Sequence, residues 1–168
     1  MYYAELKSCD IANGPGVRVS LFVSGCTHRC KGCFNAQAWD FNYGKSFDQS
    51  VIDHILELLR PDYIKGITYL GGEPLDPKNQ SELLNLSRQI KETYPDKSIW
   101  CFTGYVLEDL LARQAVDPEL LSHFDVLVDG PFIEEKKNLR LKFRGSENQR
   151  LLDMKKTIAC GKAVLWEE

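Results

Sequence analysis

The sequence lacks the features that mark several large classes of protein. No apolar run approaches the ~20 residues that a membrane-spanning helix needs, and the polar residues 1–7 do not resemble the apolar core of a signal peptide. Basic residues are not in excess either, since the net charge is −3, which argues against a nucleic-acid binder with a basic surface. We therefore expect a cytoplasmic protein that binds neither membranes nor nucleic acids.

Cysteine is scarce and unevenly distributed. Six cysteines among 168 residues are too few for a disulfide scaffold. Half of them fall within the short segment 26–33, and no second close pair follows it. The other three are isolated, and we interpret them as structural residues: Cys9, Cys101 and Cys160.

The chain shows no repeat, low-complexity stretch or linker, so we expect a single domain over residues 1–168. Segments typical of strands alternate with amphipathic helical segments, which predicts an α/β fold with a mainly parallel sheet. The predicted strands span residues 17–24, 64–70, 98–102 and 124–128, with two short candidates at 151–154 and 163–166. The predicted helices span residues 48–59, 79–94 and 106–113, and Asp117 and Pro118 begin another short one.

Each of the four main predicted strands ends in glycine accompanied by polar or charged residues. In a parallel sheet these ends meet at one edge, which carries the ligand site in α/β folds. Because the chain has too few units for eight strands, we expect an incomplete, open (β/α) barrel. The strand-end groups are Gly25-Cys26, Gly71-Gly72-Glu73-Pro74, Thr103-Gly104 and Asp129-Gly130.

The spacing C-x3-C-x2-C over Cys26, Cys30 and Cys33 predicts a metal centre. The three thiols lie in a loop directly after a predicted strand, and one loop can fold three thiolates around one centre. A structural zinc site or a ferredoxin-type cluster has four protein ligands, so a set of three leaves one metal position open for chemistry. From the spacing alone, the alternative is a zinc site completed by His28 or by a distant thiol.

The cysteine spacing resembles that of the radical S-adenosylmethionine enzymes. The resemblance implies that Cys26, Cys30 and Cys33 hold a 4Fe-4S cluster whose fourth iron is chelated by the amino and carboxylate groups of S-adenosylmethionine. It also implies that one electron from the cluster breaks the sulfonium S–C bond and yields a 5′-deoxyadenosyl radical. The fold that it implies is the incomplete barrel of that superfamily.

A second motif, residues 71–74, is similar to the GGE motif that follows the second strand in radical enzymes. Its two glycines permit a ligand to approach bare backbone. The resemblance implies that backbone groups here bind the methionine ammonium of the cofactor while Glu73 balances its charge. Thr103 and Asp129 are expected to face the cofactor at the same rim, and the alternative for Asp129 is a turn-starting residue.

Longer segments resemble the activating proteins of anaerobic ribonucleoside-triphosphate reductase, and they span nearly the whole chain. They are residues 13–18, 21–28, 32–35, Trp39, 71–74, 99–105, 126–130 and 144–149. One position departs from the wider superfamily, in which the residue before the third cysteine is often apolar or aromatic and packs on the adenine. Here that residue is Gly32, so adenine contact is expected from the backbone near Gly32 and from Phe34.

The family resemblance implies a protein-modifying enzyme. Its 5′-deoxyadenosyl radical would remove one Hα from a glycine in the large reductase subunit, and a reduced flavodoxin or similar donor would supply the electron. Two alternatives stay open. One is an activase of another glycyl-radical enzyme, of the formate-lyase type, and the other is a non-catalytic iron–sulfur or zinc module.

An irregular stretch rich in Lys and Arg, which we name the basic segment, covers residues 134–150. A glycine loop held extended at the cavity mouth would present unpaired N–H and C=O groups that need partners once water is excluded. We expect the basic segment to supply these partners and to steer an acidic partner surface. The expected docking residues are Arg144, Ser146, Asn148, Gln149 and Arg150.

Overall fold

A seven-stranded sheet forms the centre of the computed structural model, which describes residues 1–168. The strands are β1 (Tyr2–Asp10), β2 (Val17–Val23), β3 (Lys45–Ser46), β4 (Ile64–Gly71), β5 (Ser98–Phe102), β6 (Val126–Asp129) and β7 (Arg150–Asp153). Their order across the sheet is β3-β1-β2-β4-β5-β6-β7. The four central strands pair in parallel, as predicted. The flanking strands are antiparallel, and the sheet is open, with β3 and β7 at its edges.

Five α-helices accompany the sheet: α1 (Gln49–Leu59), α2 (Pro77–Thr93), α3 (Leu107–Ala112), α4 (Pro118–His123) and α5 (Met154–Cys160). Aspartate side chains cap several of them, as Asp48 accepts a hydrogen bond from the Val51 N–H and Asp117 accepts one from the Glu119 N–H. Helix α2 begins two residues earlier than predicted because Asp76 caps it and Pro77 occupies its first turn. No helix combines the length and the apolar character needed to cross a membrane.

Three of these strands and helices were not predicted, and the shortest of them is β3, two residues that pair with Tyr2 and Tyr3 of β1. Strand β1 is polar and mostly exposed or half-buried, so pairing with β2 and β3 defines it rather than an apolar pattern. Helix α5 begins where the short strand 151–154 was expected to end, because the Asp153 side chain caps it by accepting from the Lys156 N–H. The strand candidate at 163–166 is reduced to one bridge between Leu165 and Leu152.

The main core lies between one face of the sheet and the helices. It contains Leu21, Ile67, Ile99 and Leu127 from the four parallel strands, together with apolar side chains of all five helices. The opposite face carries a smaller cluster around Trp100, which Phe143 and Trp166 contact at centroid distances of 5.4 Å and 5.0 Å. The tail of the chain therefore covers the second face of the sheet.

Arg18 of β2 ties three parallel strands together on that second face. Its buried guanidinium donates hydrogen bonds to Thr68 Oγ1 at 3.0 Å, to the Ile67 carbonyl at 2.9 Å and to Ser98 Oγ at 2.9 Å. Burial lowers the Arg18 pKa to about 10. Arg18 and Ser98 lie at the amino ends of β2 and β5, so this shared charged partner fixes the register of the three strands away from the carboxyl ends that carry the candidate site.

Candidate metal and cofactor site

One cavity lies at the carboxyl ends of the four parallel strands, where the sequence predicts the site. The cysteine loop (residues 26–33) forms one side of it. The lining residues include Cys26, His28, Cys30, Cys33, Gly71, Gly72, Glu73, Thr103, Gly104, Gly130 and Gln149. The prediction that four separate strand ends gather at one edge is confirmed.

The three cysteines of the loop are free thiols that line this cavity. Cys26 is buried, and burial raises its pKa to about 11, although the His28 N–H donates a hydrogen bond to its sulfur. The Asn35 N–H donates to Cys33 Sγ at 3.5 Å. A thiol with a raised pKa is protonated at neutral pH, so Cys26 becomes a thiolate ligand only together with a bound metal.

The donor set fits an iron–sulfur cluster. Three thiols from one loop line the same cavity, and cysteine thiolates are the usual ligands of such clusters. Cys9 and Cys160 are exposed and Cys101 is buried in the main core, so none of the isolated cysteines lines the cavity.

The Gly71-Gly72 turn packs against the cysteine loop. The Gly72 N–H donates to the Val23 carbonyl and the Glu73 N–H donates to the Gly25 carbonyl, both at 2.7 Å. A Cβ atom at Gly72 would lie 2.6 Å from the Gly25 carbonyl oxygen and 3.0 Å from that of Ala38. Glycine is therefore required at Gly72 because the protein's own backbone packs against it, whether or not a ligand also contacts this turn.

Glu73 is the centre of a buried hydrogen-bond network. Its Oε1 accepts from the Leu75 N–H at 2.8 Å and from Thr103 Oγ1 at 2.7 Å, and its Oε2 accepts from the Gly104 N–H and from His28 Nε2, both at 2.7 Å. The side chain is only 1% exposed. Each oxygen thus has two protein partners, and the network joins the cysteine loop to the ends of β4 and β5.

His28 and Gly104 lie at the predicted edge, but their contact with Glu73 was not predicted. The His28 ring packs on Tyr105 at a centroid distance of 4.4 Å. A Cβ atom at Gly104 would lie 2.7 Å from His28 Cδ2, so only glycine leaves room for the ring. The signal available was the location of His28 between two cysteines, but its partners lie far away in the sequence.

Four predicted cofactor residues do not line the cavity: Gly32, Phe34, Pro74 and Asp129. Pro74 is buried behind the turn, and Gly32 is exposed. Phe34 is 66% exposed, and its ring packs on that of Phe132 at a centroid distance of 5.6 Å. Of these two rings, Phe132 is the one that lines the cavity. This contact between the cysteine loop and the chain after β6 was not predicted.

Asp129 does not face the cavity, because the structure pairs it with Arg150. The buried carboxylate accepts from Arg150 Nε at 2.9 Å, from Arg150 Nη2 at 2.6 Å and from the Leu107 N–H at 2.9 Å. Arg150 also contacts Glu108 and lowers the pKa of that carboxyl. Asp129 was expected to face the cofactor and Arg150 to bind the protein substrate, but the structure pairs them with each other.

The remaining docking candidates bond the backbone of their own segment or of residues 130–133 just before it. Ser146 is buried and accepts from the Ile133 N–H at 3.2 Å, and Arg144 donates to the Gln149 carbonyl at 2.6 Å. Gln149 lines the cavity, but its side chain bonds the backbone of residues 130, 145 and 146. Asn148 donates to the Pro131 carbonyl at 2.8 Å, while its buried Oδ1 has no partner. Asn148 alone among these residues keeps a buried side-chain acceptor unused.

Comparison with known proteins agrees with this site. The model of a 4Fe-4S single cluster domain matches residues 12–152. The anaerobic ribonucleoside-triphosphate reductase-activating protein of Enterobacteria phage T4 is 42% identical over 153 residues, which cover 90% of this chain and 93% of the relative. Proteins of the same name from Vibrio cholerae and Escherichia coli K12 are 44% and 43% identical over 151 residues, which cover 89% of this chain and 96% of each relative.

An open α/β sheet with three free cysteines at its strand ends, together with the domain match, defines an iron–sulfur protein. The shared length and identity then define the group within that class. The chain belongs to the family of anaerobic ribonucleoside-triphosphate reductase-activating proteins.

Proposed function

We propose that this chain activates an anaerobic ribonucleoside-triphosphate reductase by generating a glycyl radical on its large subunit. The observation that carries the proposal is the meeting of three free thiols and the Gly71-Gly72 turn in one cavity. A three-cysteine centre keeps one metal position free, and a glycine turn beside it lets a small molecule approach the backbone. The names of the relatives supply the identity of the protein substrate.

Cys26, Cys30 and Cys33 would hold a 4Fe-4S cluster. When bound and reduced, the cluster would supply the electron for cleavage of the S–C bond of S-adenosylmethionine into methionine and a 5′-deoxyadenosyl radical, and that radical would take Hα from the glycine to become 5′-deoxyadenosine. The chain's own residues hold three thiols in one loop, so a four-iron cluster bound there would keep one iron free of protein ligands, and Gly71 and Gly72 line the same cavity.

The strand ends would bind the methionine end of the cofactor. Gly71, Gly72 and Thr103 line the cavity and present backbone or hydroxyl groups there. The oxygens of Glu73 already accept four hydrogen bonds from the protein. Its part in binding is therefore electrostatic, since a buried carboxylate beside the cavity favours a nearby ammonium group. Phe132, which lines the cavity, would contact the adenine directly, and the Phe34 ring that packs on it, with the backbone near Gly32, would support that contact from outside the cavity.

The same proposal extends to fold and partners. The open sheet would be an incomplete (β/α) barrel whose mouth admits the glycine loop of the reductase. The basic segment would contact that loop, with Asn148 as its best-placed acceptor. A flavodoxin-like protein would supply the electron.

An anaerobic reconstitution experiment tests the proposal against its alternatives. The protein is loaded with iron and sulfide, reduced, and mixed with S-adenosylmethionine and the reductase. We expect 5′-deoxyadenosine to form and a glycyl doublet to appear in the electron paramagnetic resonance spectrum. Absence of cofactor cleavage would indicate a non-catalytic module. Cleavage with a doublet on a formate-lyase-type enzyme, but none on the reductase, would indicate the other class of activase.

A further inference from the structure

A second cavity lies on the outer side of the cysteine loop. Its wall contains Cys26, Trp39 and Phe41, and its rim carries Arg29 and Lys78. Cys26 and Trp39 line both this outer cavity and the cofactor cavity. The two spaces are therefore separated by a wall that includes one of the predicted cluster ligands.

Two aromatic rings connect the rim of the outer cavity to that wall. The Arg29 guanidinium lies 4.7 Å from the Trp39 ring centroid, and the Trp39 carbonyl accepts from the Cys26 N–H at 3.2 Å. Lys78 Nζ lies 4.5 Å from the Phe41 ring centroid. The Phe41 ring covers Gly25, where a Cβ atom would come within 2.1 Å of it. Arg29 thus sits on the ring of a residue whose backbone bonds Cys26, and Lys78 sits on a ring that packs on the neighbouring Gly25.

The charge of this rim differs from that of the whole chain. Arg29 and Lys78 are exposed, and neither forms a salt bridge. The one carboxylate in the outer cavity, Asp40, accepts from the Asn42 N–H. Although the chain as a whole carries a net charge of −3, these two cations without salt bridges place positive charge beside Cys26, and that charge attracts the acidic surface of a partner.

We infer that the outer cavity is the docking face for an acidic one-electron donor protein, which reduces the cluster through the wall formed by Cys26 and Trp39. The inference rests on the proposed function, since only a redox-active cluster needs a donor. It adds a location: the electron enters from one side of the cysteine loop, while the cofactor and the glycine loop use the other. The donor and the reductase could then be bound at the same time.

Charge reversal at the rim tests the inference. The double variant Arg29→Glu/Lys78→Glu suits the fold, because both side chains are exposed and a carboxylate in the first turn of α2 complements the helix dipole. The matched control is Arg113→Glu, which reverses an exposed cation that does not line the outer cavity. Each iron-loaded variant is reduced either by reduced flavodoxin or by photoreduced deazaflavin, and bleaching of the cluster absorbance gives the rate.

For the double variant we expect the rate with flavodoxin to fall about tenfold or more at low salt, and the difference to shrink at high salt. Its affinity for oxidised flavodoxin, measured by calorimetry, should weaken in parallel. The rate with deazaflavin and the Arg113→Glu control should be unchanged. An unchanged flavodoxin rate would overturn the inference, as would an equal fall with both reductants. Neither result would affect the proposed function, because deazaflavin still drives cofactor cleavage in the wild-type protein.

Discussion

Two buried carboxylates at the ends of parallel strands have different kinds of hydrogen-bond partner. Glu73, after β4, accepts from two backbone N–H groups, a hydroxyl and an imidazole, which come from three separate parts of the chain. Asp129, at the end of β6, is paired mainly with the single guanidinium of Arg150. The first arrangement joins the loop that would hold the cluster to the sheet. The second fastens the end of the basic segment to the sheet.

The difference extends to the two sides of the cavity. On the Glu73 side, the three thiols of the cysteine loop line the cavity as free thiols. On the Asp129 side, the polar side chains of the basic segment bond the backbone of that segment and of residues 130–133. The comparison teaches that the first side presents free thiols to the cavity, whereas the polar side chains of the second side mainly hold the chain around them in place.

The largest expected difference between the two groups of cysteines is in bound iron. Replacing Cys26, Cys30 or Cys33 by Ala removes one of three ligands from a centre that already lacks a fourth, so iron and sulfide content should fall close to zero. Alanine at Cys9, Cys101 or Cys160 is the matched control and should leave the iron content unchanged. A full, active cluster in Cys30→Ala would end the assignment.

Removing each carboxylate in turn tests the comparison directly. Glu73→Ala leaves buried donors without a partner and should lower the free energy of unfolding by about 3–5 kcal/mol. Asp129→Ala should cost about 1–3 kcal/mol, because Arg150 is partly exposed and keeps Glu108. Urea denaturation of the iron-free protein measures both losses.

The two carboxylate variants should also differ in cluster retention. Iron release to a chelator should be faster in Glu73→Ala, because the cysteine loop loses the hydrogen bond from His28 to Glu73. It should be unchanged in Asp129→Ala. Equal release rates would show that the Glu73 network does not support the cluster site.

Glycine substitutions sharpen the comparison at a smaller scale. Gly72→Val forces a side chain against the Gly25 carbonyl, so it should displace the cysteine loop, cost about 1–3 kcal/mol and weaken both iron and S-adenosylmethionine binding. At Gly130 the nearest atom would lie 3.6 Å from an added Cβ, and Gly130→Ala should cost only the strain of its φ of +102°, about 1–2 kcal/mol, with iron binding intact. Intact iron with weakened cofactor binding in Gly72→Val would instead indicate a cofactor contact alone.

The smallest expected effect concerns the basic segment. Asn148→Ala removes the buried side-chain acceptor of the basic segment that lacks a hydrogen-bond partner, so it should slow glycyl-radical formation by the equivalent of about 1–3 kcal/mol. Cleavage of S-adenosylmethionine without the reductase should be nearly unchanged, and it serves as the internal control. If both rates fall together, Asn148 acts on the cofactor site or on the fold.

Local patterns predicted much of this arrangement. The strands 64–70 and 98–102 are apolar runs closed by glycine, and the cysteine spacing lies within one loop, so neighbouring residues carry the information. The partners of Glu73 and Asp129 could not be predicted in this way. Thr103 lies 30 residues from Glu73, and the parallel pairing of β4 with β5 brings them together. Arg150 lies 21 residues from Asp129, and the antiparallel pairing of β6 with β7 places them opposite each other. Strand β1 was missed for the same reason, since its stability depends on pairing with β2.

The central claim is that a radical formed in this cavity removes Hα from a glycine of the reductase. The most direct measurement uses a reductase labelled with α-deuterated glycine, activated anaerobically by the iron-loaded protein and S-adenosylmethionine. The account predicts a glycyl radical signal without the doublet splitting of Hα and 5′-deoxyadenosine that carries one deuterium by mass spectrometry. A glycyl radical accompanied only by unlabelled 5′-deoxyadenosine, or cofactor cleavage that never produces the radical, would contradict it.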